Sequence, residues 1–106
     1  MNLRQALARA IKTVRKSRNL TQEDFSIVSS RTYLSALERG LKSPTLDKVQ
    51  EIADVMNIHP ASLIVLAYAF AKNEDIQTLI DSIATETKAL LAEVKVRPDG
   101  NSPVSS

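Results

Sequence analysis

The chain has 106 residues, a length that suits one compact domain with an accessory element. Hydrophobic residues make up 43% of it and aromatic residues 4%, so the core must be built mainly from aliphatic side chains. Cysteine is absent, which excludes a disulfide framework, a thiolate metal site and a cysteine nucleophile. The charged N-terminal segment does not resemble a secretory signal, and the longest apolar stretch, residues 63–71, is too short for a membrane span. We therefore expect a cytoplasmic protein without a membrane partner.

Charge is distributed unevenly along the chain. Residues 1–44 contain nine Lys and Arg against three acidic residues, whereas the remaining residues contain five against nine. A basic first half beside an acidic second half is typical of a protein that presents one face to a polyanion. A solvated charged surface would give the same counts, so charge alone leaves both interpretations open.

The basic half predicts three helices. Apolar residues recur at three- and four-residue spacing over residues 3–14 and predict an amphipathic first helix. Thr21 begins a second helix, with Asp24 placed to complete a capping box. The Ser29-Ser30 pair interrupts that helix, because serine hydroxyls compete for backbone groups. A third helix is predicted over residues 31–39, ended by the glycine that follows it.

The acidic half predicts three further helices and a tail. Thr45 caps a fourth helix, Pro60 fits the first turn of a fifth, and Asn73 is predicted to cap a sixth that runs to about Val94. The last ten residues are rich in Pro, Gly and Ser, and they predict a disordered tail. No segment alternates with a period of two, so no sheet is expected. The apolar stripe of the fourth helix comprises Leu46, Val49, Ile52, Ala53 and Met56.

The most specific pattern lies in residues 20–63. Its landmarks, in chain order, are Thr21-Gln22-Glu23, Arg31-Thr32-Tyr33, Leu37-Glu38-Arg39-Gly40, Ser43-Pro44-Thr45-Leu46 and Ile52-Ala53. The pattern resembles the Cro/repressor-type helix-turn-helix proteins, the Xre family, over roughly residues 3–66. The segment from Gln22 to Glu38 is about two residues shorter than is usual there, so the serine pair must form the turn. Together with the helix pattern, the resemblance implies an all-α protein: a five-helix, lambda-repressor-like DNA-binding domain in residues 1–71, a long C-terminal dimerisation helix in residues 72–96, and the tail in residues 97–106.

The resemblance also implies which residues touch DNA. In this motif the second helix of the pair lies in the major groove, and its first residues meet base edges. Aligned on this pattern, the base-contacting positions are Arg31, Thr32, Ser35 and Ala36. The backbone-contacting positions are Gln22, Tyr33, Arg39, Lys42 and Ser43. A basic residue of the first helix pairs in the family with the acid before Arg-Gly, and Arg15 and Glu38 occupy those positions.

The sixth predicted helix carries an apolar seam with alternating four- and three-residue spacing, which is typical of a helix that packs on a partner helix. We interpret it as a dimer interface, although the seam could instead fold back on the fifth helix. The residues chosen for dimerisation are Ile76, Ile80, Ile83 and Leu90.

We expect a homodimeric transcriptional regulator that binds an inverted-repeat operator in double-stranded DNA. Of the two kinds of regulator, we expect a repressor rather than an activator. No catalytic or phosphate-binding motif is present, and the single histidine, His59, beside Pro60, is interpreted as a helix cap or loop residue. We therefore expect no enzyme activity, cofactor, metal site or small-molecule effector. The alternative is an antitoxin or another protein-interaction module with secondary DNA binding, which a neighbouring toxin-sized reading frame would favour.

Overall fold

The computed structural model describes residues 1–95, which form helices and connecting turns without a strand. The chain divides into two compact units, the first covering Met1–Glu74 and the second beginning at Asp75. The predicted all-α fold is confirmed, while the tail predicted for residues 97–106 lies outside the described residues. The elements in chain order are α1 (Leu3–Ser17), a 3-10 helix (Gln22–Phe25), α2 (Arg31–Glu38), α3 (Leu46–Val55), α4 (Pro60–Lys72) and α5 (Ile76–Lys95).

α1 begins with a reciprocal cap. The Asn2 side chain accepts a hydrogen bond from the Gln5 backbone N–H at 2.8 Å, and the Gln5 side chain accepts one from the Asn2 N–H at 3.1 Å. This arrangement satisfies two N–H groups that a helix start would leave free. α1 packs against α4, and the Arg9 guanidinium lies 4.2 Å from the centroid of the Phe70 ring, a cation–π contact between the two helices.

The core of the first unit is aliphatic apart from one phenylalanine. Each helix of this unit contributes to it, because each has a buried face at three- and four-residue spacing. Burial of one such large side chain is worth about 1.5–3 kcal/mol. The largest fully buried side chains are Ile11, Phe25, Leu34, Leu37, Ile52, Met56 and Leu63.

The predicted stripe of α3 is wrong at its first position. Leu46 is 81% exposed, whereas Val49, Ile52 and Met56 are buried. Thr45 caps the helix, since its hydroxyl accepts the backbone N–H two residues after Leu46 at 3.1 Å. Leu46 is therefore the first residue of the first turn, and the packed part of α3 begins only at the next turn.

The predicted second helix is reduced to one 3-10 turn. Asp24 accepts a hydrogen bond from the Thr21 backbone N–H at 2.7 Å, as the capping pattern predicts, but helical structure ends at Phe25. Ser26 follows, and then come Ile27 and Val28, which are β-branched and disfavour helix, and two more serines. We therefore attribute the shortness of the segment from Gln22 to Glu38 to the early end of this first helix, at Phe25.

α4 is the most apolar helix of the first unit. His59 is its N-cap, with Nδ1 accepting the Ala61 backbone N–H at 2.9 Å, and Pro60 occupies the first helical position. No single helix within residues 1–95 is long and apolar enough to cross a membrane. α3 and α4 taken together reach the required length and composition, but they are bent by 104°.

The prediction that Asn73 starts the last helix is wrong. Asn73 has φ 51° and ends α4, because asparagine tolerates the left-handed conformation that a helix C-terminus often needs. α4 consequently runs to Lys72, past the boundary predicted after residue 71. The start of α5 is fixed by Asp75, which accepts the Thr78 backbone N–H at 3.0 Å. Hydrogen bonds from the Thr78 backbone and hydroxyl hold the pKa of Asp75 below its ordinary value.

α5 has 20 residues, and none of them is buried. The side chains predicted for dimerisation are among its exposed large hydrophobic residues. Their exposed fractions are 44% for Ile76, 44% for Ile80, 38% for Ile83 and 54% for Leu90. This row of side chains, which we call the α5 seam, is an exposed apolar stripe on the second unit.

Candidate nucleic-acid interface

α2 presents one polar face to solvent. Ser30 begins the helix, with its hydroxyl accepting a backbone N–H of the first turn at 3.1 Å. Because an α-helix turns about 100° per residue, Arg31, Ser35 and Arg39 follow one another along the same face. Arg31 and Arg39 are exposed, as is Thr32 beside them, and Ser35 is half-buried. We call Arg31, Thr32 and Ser35 the reading face of α2.

The buried side of α2 includes Ala36 as well as the two leucines. Leu34 and Leu37 are fully enclosed, and Ala36 retains only 7% of its exposure. The prediction that Ala36 reaches a base edge is therefore not compatible with this structure. Ala36 lies about 40° around the helix from Thr32 and about 100° from Leu37, so the buried side of α2 extends beyond the two leucines to the edge of the polar face.

Cationic and polar groups lie beside the aromatic residue of α2. The Tyr33 ring centroid is 5.9 Å from Lys42 Nζ and 6.0 Å from Lys48 Nζ. Lys42 and Ser43 are exposed in the loop between α2 and α3. The structure thus brings Tyr33 and Lys42, two predicted backbone contacts, into one cationic cluster at the edge of the helix.

Arg15 and Glu38 form a nearly enclosed ion pair. Arg15 Nε donates to Glu38 Oε2 at 2.6 Å and Nη2 donates to Oε1 at 2.9 Å, while Nη1 donates to the Leu20 carbonyl at 2.9 Å. The two side chains are only 10% and 3% exposed. The hydrogen bond to Glu38 raises the pKa of Arg15 and outweighs the opposing effect of burial. This pair joins the end of α1 to the end of α2.

Gln22 is drawn into the same network. Its amide nitrogen donates to Glu38 Oε1 at 3.2 Å, and the residue is half-buried. The 3-10 helix is therefore tied to α1 and α2 through one carboxylate. In this structure the side chain of Gln22 is engaged within the protein, and Thr21, at the N-terminal end of its short helix, is exposed.

The turn that ends α2 depends on Gly40. This residue has φ 73°, a left-handed conformation that costs glycine little because it has no Cβ. The position that a Cβ would occupy lies 3.7 Å from the Gln5 Cα on α1. Gly40 therefore ends α2 and allows the loop that contains Lys42 to begin close to α1.

Sequence reasoning missed Lys48, which lies on α3. Its ammonium donates to the main-chain carbonyl of Val28, in the turn before α2, and lies 3.4 Å from Glu51 Oε1. No sequence signal could have found this contact, because one partner is a backbone oxygen whose position depends on the course of the turn.

A short helical turn, a tight connection and a helix with an exposed, partly cationic face form a helix-turn-helix. Buried leucines and a three-element ion-pair network fix that helix on a small α-helical core. These features define the class of helix-turn-helix DNA-binding proteins.

Comparison with known proteins agrees with this class. The helix-turn-helix family HTH_3 matches residues 11–63. The chain is 32% identical over 66 residues to the "Uncharacterized HTH-type transcriptional regulator y4dJ" of Sinorhizobium fredii, covering 60% of this chain and 86% of that protein. It is 30% identical over 66 residues to the "Control protein C.BamHI" of Bacillus amyloliquefaciens, covering 59% and 82%. The structure of the clp gene regulator ClgR from Corynebacterium glutamicum matches with a TM-score of 0.61 at 23% identity, covering 88% and 93%.

The chain belongs to the HTH_3 helix-turn-helix family. It is a transcriptional regulator with a helix-turn-helix DNA-binding domain, as the resemblance to the Xre family predicted. The two relatives carry the names of a transcriptional regulator and a control protein.

Proposed function

We propose that the protein represses transcription by binding an inverted-repeat operator as a homodimer, with α2 in the major groove of each half-site. The exposed reading face of α2 carries this proposal. Arg31 and Thr32 lie in the first turn and are free of the core, which is where a recognition helix contacts base edges. Because Ala36 is buried, three of the four predicted base-contacting side chains remain in each monomer, a number suited to a short half-site.

Each residue of the reading face has a chemistry that a base edge can use. The Arg31 guanidinium can donate two parallel hydrogen bonds to O6 and N7 of guanine. Thr32 offers a methyl group to the thymine methyl and a hydroxyl to either donors or acceptors. The Ser35 hydroxyl, one helical turn further along, can also accept or donate.

Phosphate contacts position the helix without reading sequence. We assign them to Lys42 and Ser43 in the loop, to Tyr33 beside them and to Arg39 at the end of the reading face. Gln22 contributes through the N–H groups of its helical turn, because its side chain already donates to Glu38. Neutralisation of phosphates by these cations predicts affinity that falls steeply as salt concentration rises.

The α5 seam supports the homodimer. An inverted repeat is read by two recognition helices about 34–36 Å apart, which requires two copies related by a two-fold axis. The seam offers each copy the same exposed apolar stripe, and it belongs to the second unit, whereas the cationic residues around α2 belong to the first. Pairing two seams would remove these side chains from water and would stabilise the dimer.

Selection of bound duplexes from random DNA tests the proposal directly. We expect enrichment of an inverted repeat whose half-sites are about 10 base pairs apart, with affinity that falls linearly on a log–log plot against salt. Equal binding to selected and random duplexes would contradict the proposed function. Enrichment of a single half-site would still support base contacts by α2, but it would contradict binding as a two-fold dimer.

Replacement of Arg31 by alanine should relax sequence preference locally. Loss of the bidentate contact should cost about 1–3 kcal/mol at one or two positions of each half-site and leave the other positions unchanged. Lys42→Ala is the matched control, because an exposed phosphate contact should weaken binding to all sequences alike. Binding to a panel of single-base operator variants measures both. An unchanged preference in Arg31→Ala would show that Arg31 does not face the bases.

A further inference from the structure

Lys48 connects α3 to the turn that precedes α2. Its Nζ donates to the Val28 carbonyl oxygen, and no backbone N–H within residues 1–95 donates to that oxygen. The lysine side chain is 24% exposed, and Glu51 Oε1 lies 3.4 Å from its ammonium. A hydrogen bond from an ammonium to a carbonyl is charge-assisted and stronger than one between neutral groups. Lys48 is thus a half-buried cation engaged inside the protein and not a free surface charge.

The turn held by Lys48 determines where α2 begins. Helical structure before the turn ends at Phe25, which is fixed because it is fully buried. The chain then reaches Ser30, the cap of α2, through four residues, of which Val28 is the third. The path lacks the additional helical residues that the family pattern usually supplies. Lys48 provides a tertiary contact where a longer helix would have provided backbone hydrogen bonds.

We propose that Lys48 is a positioning residue that sets the orientation of the reading face. Val28 precedes Arg31 by three residues, so a displacement of its carbonyl shifts the first turn of α2, which carries Arg31 and Thr32. Lys48 thereby contributes to sequence discrimination without contacting a base. The inference rests on the proposed function, because it assigns discrimination to α2.

The variant Lys48→Met tests this role against Lys42→Met. Both lysines lie about equally far from the Tyr33 ring, but only Lys48 has the carbonyl contact. We measure the ratio of affinities for the selected operator and a scrambled duplex. Lys48→Met should lower this ratio about tenfold, because a shifted first turn of α2 weakens the contact of Arg31 with its base. Lys42→Met should lower both affinities alike and reduce the salt slope by about one.

Two further measurements separate positioning from charge. Lys48→Arg keeps a cationic donor and should restore the ratio to within about threefold of the original protein, a rescue that a general loss of folding would not show. Amide hydrogen exchange of Tyr33 and Leu34, whose N–H groups donate to Ser30, should be faster in Lys48→Met and unchanged in Lys42→Met when measured without DNA. If Lys48→Met does not fold, Lys48→Gln replaces it, because glutamine is too short to reach the carbonyl.

An unchanged ratio in Lys48→Met, or equal losses for both duplexes as in Lys42→Met, would overturn the proposal. Unchanged exchange of Tyr33 and Leu34 would overturn it as well. If the original protein itself does not discriminate between the duplexes, the proposed function fails. The exchange measurement then decides separately whether Lys48 holds the turn.

Discussion

Two glutamates placed in the α5 seam, Ile80→Glu and Ile83→Glu, are expected to lower operator affinity at least about a hundredfold. Each isoleucine is about two-fifths exposed, and pairing of two seams would bury it. A charge at such a position is costly to desolvate, so the dimer should dissociate. A monomer binds one half-site and loses the gain from the second, linked half-site, which is commonly 10²–10⁴-fold.

Ser82→Glu and Thr85→Glu provide the charge-matched control. Both residues are exposed on α5 and lie off the seam, so dimerisation and operator binding should stay close to those of the original protein. Analytical sedimentation gives the dimer constant, and gel shifts give the affinity. If the seam variant dimerises as tightly as the control, the interface lies elsewhere on the chain.

The second large effect concerns the Arg15–Glu38 pair. Glu38→Leu leaves the enclosed Arg15 guanidinium without its counter-charge, and we expect a loss of about 3–5 kcal/mol in the free energy of unfolding. Arg15→Met should cost a similar amount, because it leaves the Glu38 carboxylate enclosed. The double variant Arg15→Met/Glu38→Leu should cost less than either single change, since no unpaired charge remains in the interior.

The original protein, the two single variants and the double variant form a double-mutant cycle. Chemical denaturation of these four proteins gives the coupling energy between the two side chains. Arg18→Met serves as the control for loss of an arginine near the end of α1, because Arg18 is exposed and should change stability by no more than about 0.5 kcal/mol. A coupling energy near zero would mean that the pair behaves as two surface charges despite its burial.

The helices were predictable from the sequence because their signals are local. Apolar spacing indicated the buried faces of α1 and α3, and Ser30 and Thr45 are caps in the structure. The pairing of Arg15 with Glu38 is a contact over 23 residues, and it was anticipated only because the family pattern supplied it.

The differences arise where several conformations fit the same residue. Asparagine is common both at a helix start and in the left-handed conformation after a helix, so Asn73 could be assigned to either end. The burial of Ala36 depends on how α2 is rotated about its axis, which the length and course of the preceding turn determine. The Lys48 contact depends on that same turn, and its backbone acceptor leaves no pattern in the sequence.

The reading face is separate from the parts that hold the fold together. Within residues 1–95, no side-chain hydrogen bond of Arg31, Thr32 or Ser35 stabilises the folded chain, and none of the three belongs to the core. Replacements at such positions usually change stability by no more than about 0.5 kcal/mol. Under the proposed function, single substitutions on the reading face would change sequence preference at little cost to folding, whereas substitutions in the network around Glu38 would lower stability.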